Sequence, residues 1–539
     1  MYLFILAYIR KNKPLSKKGY QICRNGRLQT RDCILMISKY TQQAVFAMLQ
    51  LFLVATAGAQ QSNEDLYLIY GDEDMLSIAT GLSQPISKAP STATVITARD
   101  IKAMGAMTLD EVLEAVPGLH VIPSTLDRLN PVYTIRGIYT GFNPQVLFLI
   151  NGQRIVSSLY TGGMSTNSRM NVENISRIEI IRGPGSAVYG ADAFAGVVNI
   201  VTKDAKELNG VNAGVRVGSF NTRDVWVQYG GDLGNDWQLA FNLEQATQDA
   251  DKSRVVSSDY QTFFDGIFST SASLAPSYLD QRYEATSYNL HVNNEQWKFG
   301  VDGWIQENRG LGGGSAQAID HQGYDDFNHY LVSAEYNNKT FLDWELTAGA
   351  SFQVSEISSY FNVFPAGSVL PIGNDGNLDN PLAPRAPPIG YVLFTDGLIG
   401  NPGGISKVFQ FDLTAHYGGW ERHDLRLNAG ARRESGETRE KKNFGPGVID
   451  GAVPVIDGSL TNVTGTDYVF GKDSSRRVSF FSVQDVWDFL PDWNLTAGVR
   501  YDDYSDFGDT TNPRVALVWN MSQNLTSKLL YGRISCAVI

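Results

Sequence analysis

The chain has 539 residues, 43% of them apolar, 19% charged and 11% aromatic, with a formal charge of −12. So many large apolar side chains exclude a disordered chain, and the negative balance excludes a general nucleic-acid-binding surface. Cys23, Cys33 and Cys536 are the only cysteines, too few and too scattered for a disulfide scaffold or a Cys-ligated zinc site.

Met1 to Lys39 carries nine Lys or Arg against Asp32 alone, and no charge follows until Glu64. Within that interval Ala44 to Val54 is an apolar run holding Phe46, Met48, Leu49, Leu51, Phe52 and Leu53, and Ala57-Gly58-Ala59 comes after it. The run is short for a bilayer span and small residues stand where a signal peptidase reads. Residues 1–59 therefore read as a leader and secretory signal cut after Ala59, with a membrane anchor as the alternative and Met36 as a second, more ordinary start. No later segment is continuously apolar over the roughly 18 residues that a membrane helix needs.

Residues 60–80 place a short apolar stretch, Met75-Leu76-Ser77-Ile78-Ala79-Thr80, behind Glu64-Asp65 and Asp72-Glu73-Asp74. From 81 to 208 the pattern is that of a small mixed α/β domain. Thr108 with Glu111 has the form of a capping box, Leu109, Val112, Leu113 and Val116 follow at helical spacing, and Pro117-Gly118 stops the helix. Strands are expected over Val132 to Ile138, Val146 to Ile150, Ile175 to Ile181 and Gly196 to Thr202, divided by Gly, Asn and Pro.

From 209 to 539 the pattern changes to period two over long segments. Trp344, Leu346, Ala348, Ala350, Phe352 and Val354 alternate with Glu345, Thr347, Gly349, Ser351 and Gln353; Phe409, Phe411 and Leu413 alternate with Gln410, Asp412 and Thr414. Trp493 to Tyr501 repeats the pattern. Strands this long with one apolar and one charged face fit an antiparallel transmembrane β-barrel with a watery interior better than a soluble sandwich. Short joints alternate with long ones near Ala250 to Glu284, Glu307 to Asp326, Ser355 to Gly404 and Gly436 to Ser475. Trp237, Trp297, Trp344 and Trp493 follow short joints and Trp420 lies inside one, the expected girdle at one membrane interface. Thirteen candidate strands lie between Val211 and Tyr531, an odd number that leaves the sheet open.

The stretch from Ala89 to Lys203 resembles the plug domain of TonB-dependent outer-membrane receptors. The matching pieces, in order, are Val95-Ile96-Thr97-Ala98-Arg99-Asp100-Ile101, Val116-Pro117-Gly118-Leu119, Ile135-Arg136-Gly137, Ile150-Asn151-Gly152, Ile178-Glu179-Ile180-Ile181-Arg182-Gly183-Pro184-Gly185-Ser186, Tyr189-Gly190 and Ala195-Gly196-Val197-Val198-Asn199-Ile200. The resemblance implies a plugged barrel in the outer membrane of a Gram-negative cell, with plug and N-terminus accessible from the periplasm. It implies active import of a scarce large ligand, of ferric siderophore or cobalamin type, by a monomeric barrel without a cofactor. TonB, energised by its inner-membrane complex, would pair with the segment whose position Met75, Leu76, Ser77, Ile78, Ala79 and Thr80 match. A short helix packed under the plug is the other reading of that segment.

Arg136 and Arg182 stand beside glycines at strand ends, where a guanidinium can reach acidic residues of a polar wall as a plug-to-barrel anchor, or else stay solvated in the lumen. Gly137, Gly152, Gly183, Gly185 and Gly190 permit tight turns; their spacing matches neither a dinucleotide fingerprint nor a Walker loop. No catalytic constellation and no metal-ligand spacing among the six histidines is recognisable. His321, Tyr324, Asp325 and His329 cluster in an expected long loop, where they form either a weak ligand-contact site or ordinary loop polarity.

The family resemblance lapses at the end. Leu529-Leu530-Tyr531-Gly532-Arg533 fits a mid-barrel strand, but Ile534-Ser535-Cys536-Ala537-Val538-Ile539 does not. Against barrels of about 22 strands, the expectation is an incomplete barrel lacking about nine of them, hence a truncated and non-functional copy or a frameshift in the reading. The rival functions are a passive porin, which the plug argues against, and an outer-membrane hydrolase, for which no nucleophile and base can be named.

Overall fold

The computed structural model describes residues 75–533 apart from 77, 80–83, 124–130, 140–144, 160–169, 342, 374, 380–389, 450–453 and 523–524. The expected leader and signal, Ser77, Thr80 and Cys536 lie outside the described residues.

The first domain runs β1 (Met75–Leu76), β2 (Gln84–Pro85), β3 (Ala93–Thr97), α1 (Ala98–Met104), α2 (Leu109–Glu114), β4 (Leu119–Pro123), β5 (Pro131–Ile135), β6 (Val146–Ile150) and β7 (Gln153–Ile155). It continues with β8 (Ile175–Arg182), α3 (Ser186–Tyr189), β9 (Gly196–Thr202) and α4 (Ala205–Leu208). Five strands form one sheet in the order β3-β8-β9-β6-β7, with β6 and β9 parallel. β6 is buried at every position, as the continuous apolar run Val146–Ile150 requires. β5 stops at Ile135, earlier than the expected Ile138, because Arg136 and Gly137 turn the chain at φ of 55° and 78°.

Helix α1 was not among the expected elements. Its signal is a box of Thr97 with Asp100: the Asp100 N–H donates to Thr97 Oγ1 at 3.2 Å, the Thr97 N–H donates to Asp100 Oδ2 at 3.0 Å, and Gly105 closes the helix in the left-handed region. Helix α2 starts after Thr108 as expected, but not through the expected box. Thr108 makes no side-chain cap bond, and Glu111 accepts from the Met107 N–H at 2.7 Å, one residue early.

The second domain runs β10 (Gly210–Gly218), β11 (Thr222–Gly234), β12 (Trp237–Gln248), β13 (Val255–Val256), α5 (Tyr260–Phe268), β14 (Ser277–Tyr278), β15 (Tyr283–Asn293), β16 (Trp297–Arg309), β17 (Tyr324–Phe341) and β18 (Trp344–Phe364). Next come β19 (Ser368–Ile372), β20 (Gly390–Phe394), β21 (Leu398–Tyr417), β22 (His423–Lys442), β23 (Val455–Ile456), β24 (Thr461–Asn462), β25 (Ser474–Leu490), β26 (Trp493–Tyr504), β27 (Gly508–Ser522) and β28 (Leu525–Gly532). Thirteen of these pair antiparallel in the order β10-β11-β12-β15-β16-β17-β18-β21-β22-β25-β26-β27-β28, with β24 added on β22. Among the described residues β10 and β28 are not paired with each other, so the sheet is open.

The sheet is inverted relative to a soluble protein. Val215, Phe352, Phe409 and Phe481 are 74%, 45%, 51% and 51% exposed on its outer face, whereas Gln353, Glu244, Arg500 and Asp502 are buried on the inner one. An outer face of this kind expects lipid, and an inner one expects water or a polar plug. The tryptophans beside the short turns form the expected girdle. Trp297 packs on Tyr336 at 4.7 Å, Trp344 on Tyr417 at 4.9 Å, Tyr417 on Trp420 at 5.4 Å, and Trp493 on Trp519 at 4.7 Å.

At the other end the strands run on past the expected loop boundaries: β18 continues to Phe364 and β21 begins at Leu398. Backbone pairing continues there as far as Phe364 and Leu398. The loops themselves hold a small core of Phe264, Phe364, Leu370, Ile372, Val392, Phe394, Leu398 and Ile449.

Candidate plug–wall interface

Three kinds of contact seat the first domain against the inner face of the sheet. The first is apolar. Trp304 on β16 and Phe327 and Leu331 on β17 are buried in the same cluster as Leu109, Leu113, Tyr133, Phe148, Ile178 and Val198 of the plug. These inward apolar side chains break the rule that the inner face is polar. Burial of each contributes about 1.5–3 kcal/mol.

The second is backbone to side chain. After β7 the chain lies along β18 and β21: the Val156 N–H donates to Gln353 Oε1 at 3.2 Å, Gln353 Nε2 donates to the Arg154 carbonyl at 3.1 Å, and the Ser158 N–H donates to Ser406 Oγ at 2.9 Å. Gly404 and Gly436 allow this approach, since a Cβ on either would stand 2.7 Å from Leu159 or from the Ser158 carbonyl.

The third is charged. Asp192, between α3 and β9, accepts from Arg154 of the plug at 2.5 Å and from Arg432 of β22 at 3.0 Å, and Arg432 also donates to Glu434 at 2.5 Å. On β26, Arg500 is paired with Asp502 and donates to the Val188 carbonyl at 2.8 Å, while the Ala191 N–H donates to Tyr504 Oη at 3.3 Å. Burial works against the Asp192 carboxylate, but Arg432 and Arg154 outweigh it and hold its pKa below the ordinary value. Burial lifts the Tyr189 phenol to about 12, so it stays neutral. A smaller polar contact lies at β10 to β15, where Arg216 joins Glu173 of the plug to Asp224 and where Asn174 Nδ2 donates to Asn289 Oδ1 at 2.7 Å.

Family comparison likewise divides the chain into a plug and a barrel. Residues 85–197 match the TonB-dependent receptor plug domain, and residues 293–535 match the TonB-dependent receptor-like β-barrel. The chain belongs to the TonB-dependent receptors. Curated relatives include the vitamin B12 transporters BtuB of Vibrio vulnificus, 34% identical over 175 residues, and of Photobacterium profundum, 37% identical over 128 residues. Those alignments cover 32% and 24% of this chain and 28% and 20% of the relatives, so the chain spans about a quarter of their length. Among solved structures, the siderophore receptor PirA from Acinetobacter baumannii has a TM-score of 0.56 at 18% identity, covering 83% of this chain and 61% of that one. This likeness is one of fold.

In this receptor the residues singled out by sequence fall in several places. Gly190, at φ 79°, is the point where the plug backbone meets the wall: a Cβ there would stand 3.0 Å from Asp502 Oδ1 and 3.3 Å from Tyr504 Oη. Gly185 is packed so closely that a Cβ would meet Val197 at 2.6 Å, and Gly137, Gly152 and Gly183 turn at positive φ. Arg182 and Arg136 differ from the expected anchors. Arg182 donates to Thr94 Oγ1 at 3.0 Å and to the Pro117 carbonyl, both within the plug, because β8 ends beside β3 and the turn after α2. Arg136 is exposed, and among the described residues neither arginine pairs with a wall carboxylate. The crossing charges run the other way, from Arg432 and Arg500 of the wall to acceptors on the plug. Nothing local in the sequence marks those arginines: Arg500 alternates with the outward Val499 and Tyr501 and so had to point inward, but Arg432 stands beside the exposed Arg433, where alternation does not choose between the two.

Met75 and Leu76 pair with Pro85 and Gln84 in a hairpin, not a helix. Leu76, Ile78 and Ala79 are buried against Leu147, Leu149, Ile181, Ala193 and Val197. The four loop residues are not gathered in one loop. His321 stacks on Tyr278 at 4.2 Å and Tyr324 on Tyr360 at 6.0 Å, Asp325 pairs with Arg309, and His329 bonds Ser355 Oγ at 2.9 Å. Asp325 and His329 belong to β17, on the inward face shared with Phe327 and Leu331. Among the described residues no group of His, Cys, Asp and Glu is arranged to hold a metal ion.

Proposed function

We propose that the protein works in TonB-energised import of a scarce large ligand, of cobalamin or ferric siderophore type, across the outer membrane of a Gram-negative cell. The observation that carries this reading is the plug itself, seated by buried charged contacts that a pulled segment can release in steps. The names of the curated relatives favour cobalamin within that class. The plug and hairpin β1–β2 face the periplasm in this reading, and the structured loops around Phe264 and Phe394 face outward and meet the ligand. Binding and displacement need no covalent chemistry, so no catalytic residue is assigned.

A transporter needs a closed wall, and among the described residues β10 and β28 are the two edges of the sheet. The test is uptake of labelled cobalamin, and separately of ferric siderophores, by cells whose own receptors are deleted, with and without TonB. TonB-dependent accumulation of either ligand supports the reading. Conductance through the purified chain without TonB would favour a passive pore, and turnover of ester or peptide substrates would favour a hydrolase.

A further inference from the structure

The segment between β1 and β3 presents no charged partner to the wall, yet the wall holds it. Arg514 of β27 donates through Nη1 to the Ala79 carbonyl at 3.0 Å and through Nη2 to the Pro90 carbonyl. One guanidinium therefore joins a carbonyl that follows β1 to one that follows β2. Lys528 of β28 directs its ammonium at the carbonyls of Ile86 and Ala89, each at 2.8 Å, and of Ser91 at 3.3 Å. An ammonium has three donors and no acceptor, so three carbonyls satisfy it. Among the described residues no carboxylate pairs with either cation. Every bond goes to backbone, which makes the grip independent of the side chains of the segment it holds.

Two adjacent strands thus carry two inward cations over one strap of the plug. Beneath the strap, Leu76, Ile78, Ala79 and Ala89 are buried on Ile181 and Val197, and the Ile78 N–H donates to Glu179 at 3.3 Å. Apolar burial alone resists removal from water in proportion to area, whereas these directional bonds fail one by one when the chain is drawn away along its own axis.

We propose that Arg514 and Lys528 are positioning residues that clasp the strap at Ala79, Ile86 and Ala89–Ser91 to the wall and set how readily the segment beginning at Met75 is released to a periplasmic energy-coupling partner. This rests on the import reading given above. The same grip keeps the buried apolar side of the strap from periplasmic exposure while no partner is engaged.

The experiment uses the full chain with its three cysteines replaced by serine and one reporter cysteine added. Ser91→Cys reports on the strap, since Ser91 is buried and its carbonyl is clasped; Ser186→Cys, fully buried, reports on the rest of the plug. Lys528→Met or Arg514→Met is expected to raise maleimide labelling at the strap reporter about tenfold, the usual worth of a hydrogen bond to a charged group, with Ser186→Cys still protected. Lys528→Arg is expected to restore the slow rate. Unchanged labelling at the strap overturns the proposal, and so does equal acceleration at both reporters, which marks general loosening. A separate arm measures capture by the purified C-terminal domain of TonB, expected to rise in the Met variants. Capture absent from native and variant chains, with strap labelling still accelerated, leaves the clasp and removes the coupling reading.

Discussion

Along β16 and β17 the wall turns Trp304, Phe327 and Leu331 into the plug core, whereas along β22, β26 and β27 it offers Arg432, Arg500 and Arg514 to plug acceptors. The two seats hold the same domain by different physics. The apolar one is non-directional and loses little when side chains slide by a fraction of an ångström. The charged one depends on bond geometry and on the absence of water, so it is firm in place and weak once parted. A plug that moves under load would keep the first contact longest and give up the second early.

The largest effects should come from emptying the apolar seat. Phe327→Ala is expected to cost about 3–5 kcal/mol, read as earlier exposure of the plug to trypsin in denaturant, with the β25–β28 strands still protected. Asp192→Ala should cost about 3 kcal/mol, because it leaves Arg154 and Arg432 facing each other. Its signature differs: the double variant Asp192→Ala with Arg154→Met should recover part of the loss, since Arg154 is the cation left without its carboxylate while Arg432 keeps Glu434, whereas no second substitution on the wall should rescue Phe327→Ala. Equal and additive losses at both seats would erase the distinction.

Gly190 sharpens the comparison at smaller scale. A Cβ at φ 79° enters contact with Asp502, Tyr504 and Arg500, so Gly190→Ala should cost about 1–3 kcal/mol from strain and displaced bonds. The loss should appear in the charged seat alone, as faster labelling of a cysteine near Ala191 with the Phe327 side unchanged.

What could be read in advance follows the range of each interaction. Strand alternation and the girdle tryptophans are written within a few residues, and the structure holds them near the expected positions. The plug–wall pairs are not local. Asp192 meets Arg432 across 240 positions and Arg514 meets Ala79 across 435, and period two says only that an arginine points inward, not what it finds there. Arg182 attracted notice because it stands in a recognisable motif, yet its near neighbours Thr94 and Pro117 satisfy it first. Asp325 and His329 read as loop polarity for a related reason: beyond the bilayer a paired strand no longer alternates between lipid and water.

Acid separates the two seats most gently. Asp192 has its pKa lowered in the folded protein, since Arg432 and Arg154 overcome the opposing effect of burial. A carboxylate depressed in this way contributes stability that is fully present above its unfolded value, about 3.9, and is lost only as pH falls through the lower folded one. Between pH 7 and pH 5 the plug should therefore show no change in protease protection on its Asp192 side. Below about pH 4 protonation removes the bridge between the two arginines, so the Asp192 side should show a difference in protection above and below that pH. The Asp192→Asn variant should abolish that difference, because its amide has no proton to gain. Loosening of the charged seat already near pH 6 would mean that a group other than Asp192 governs it.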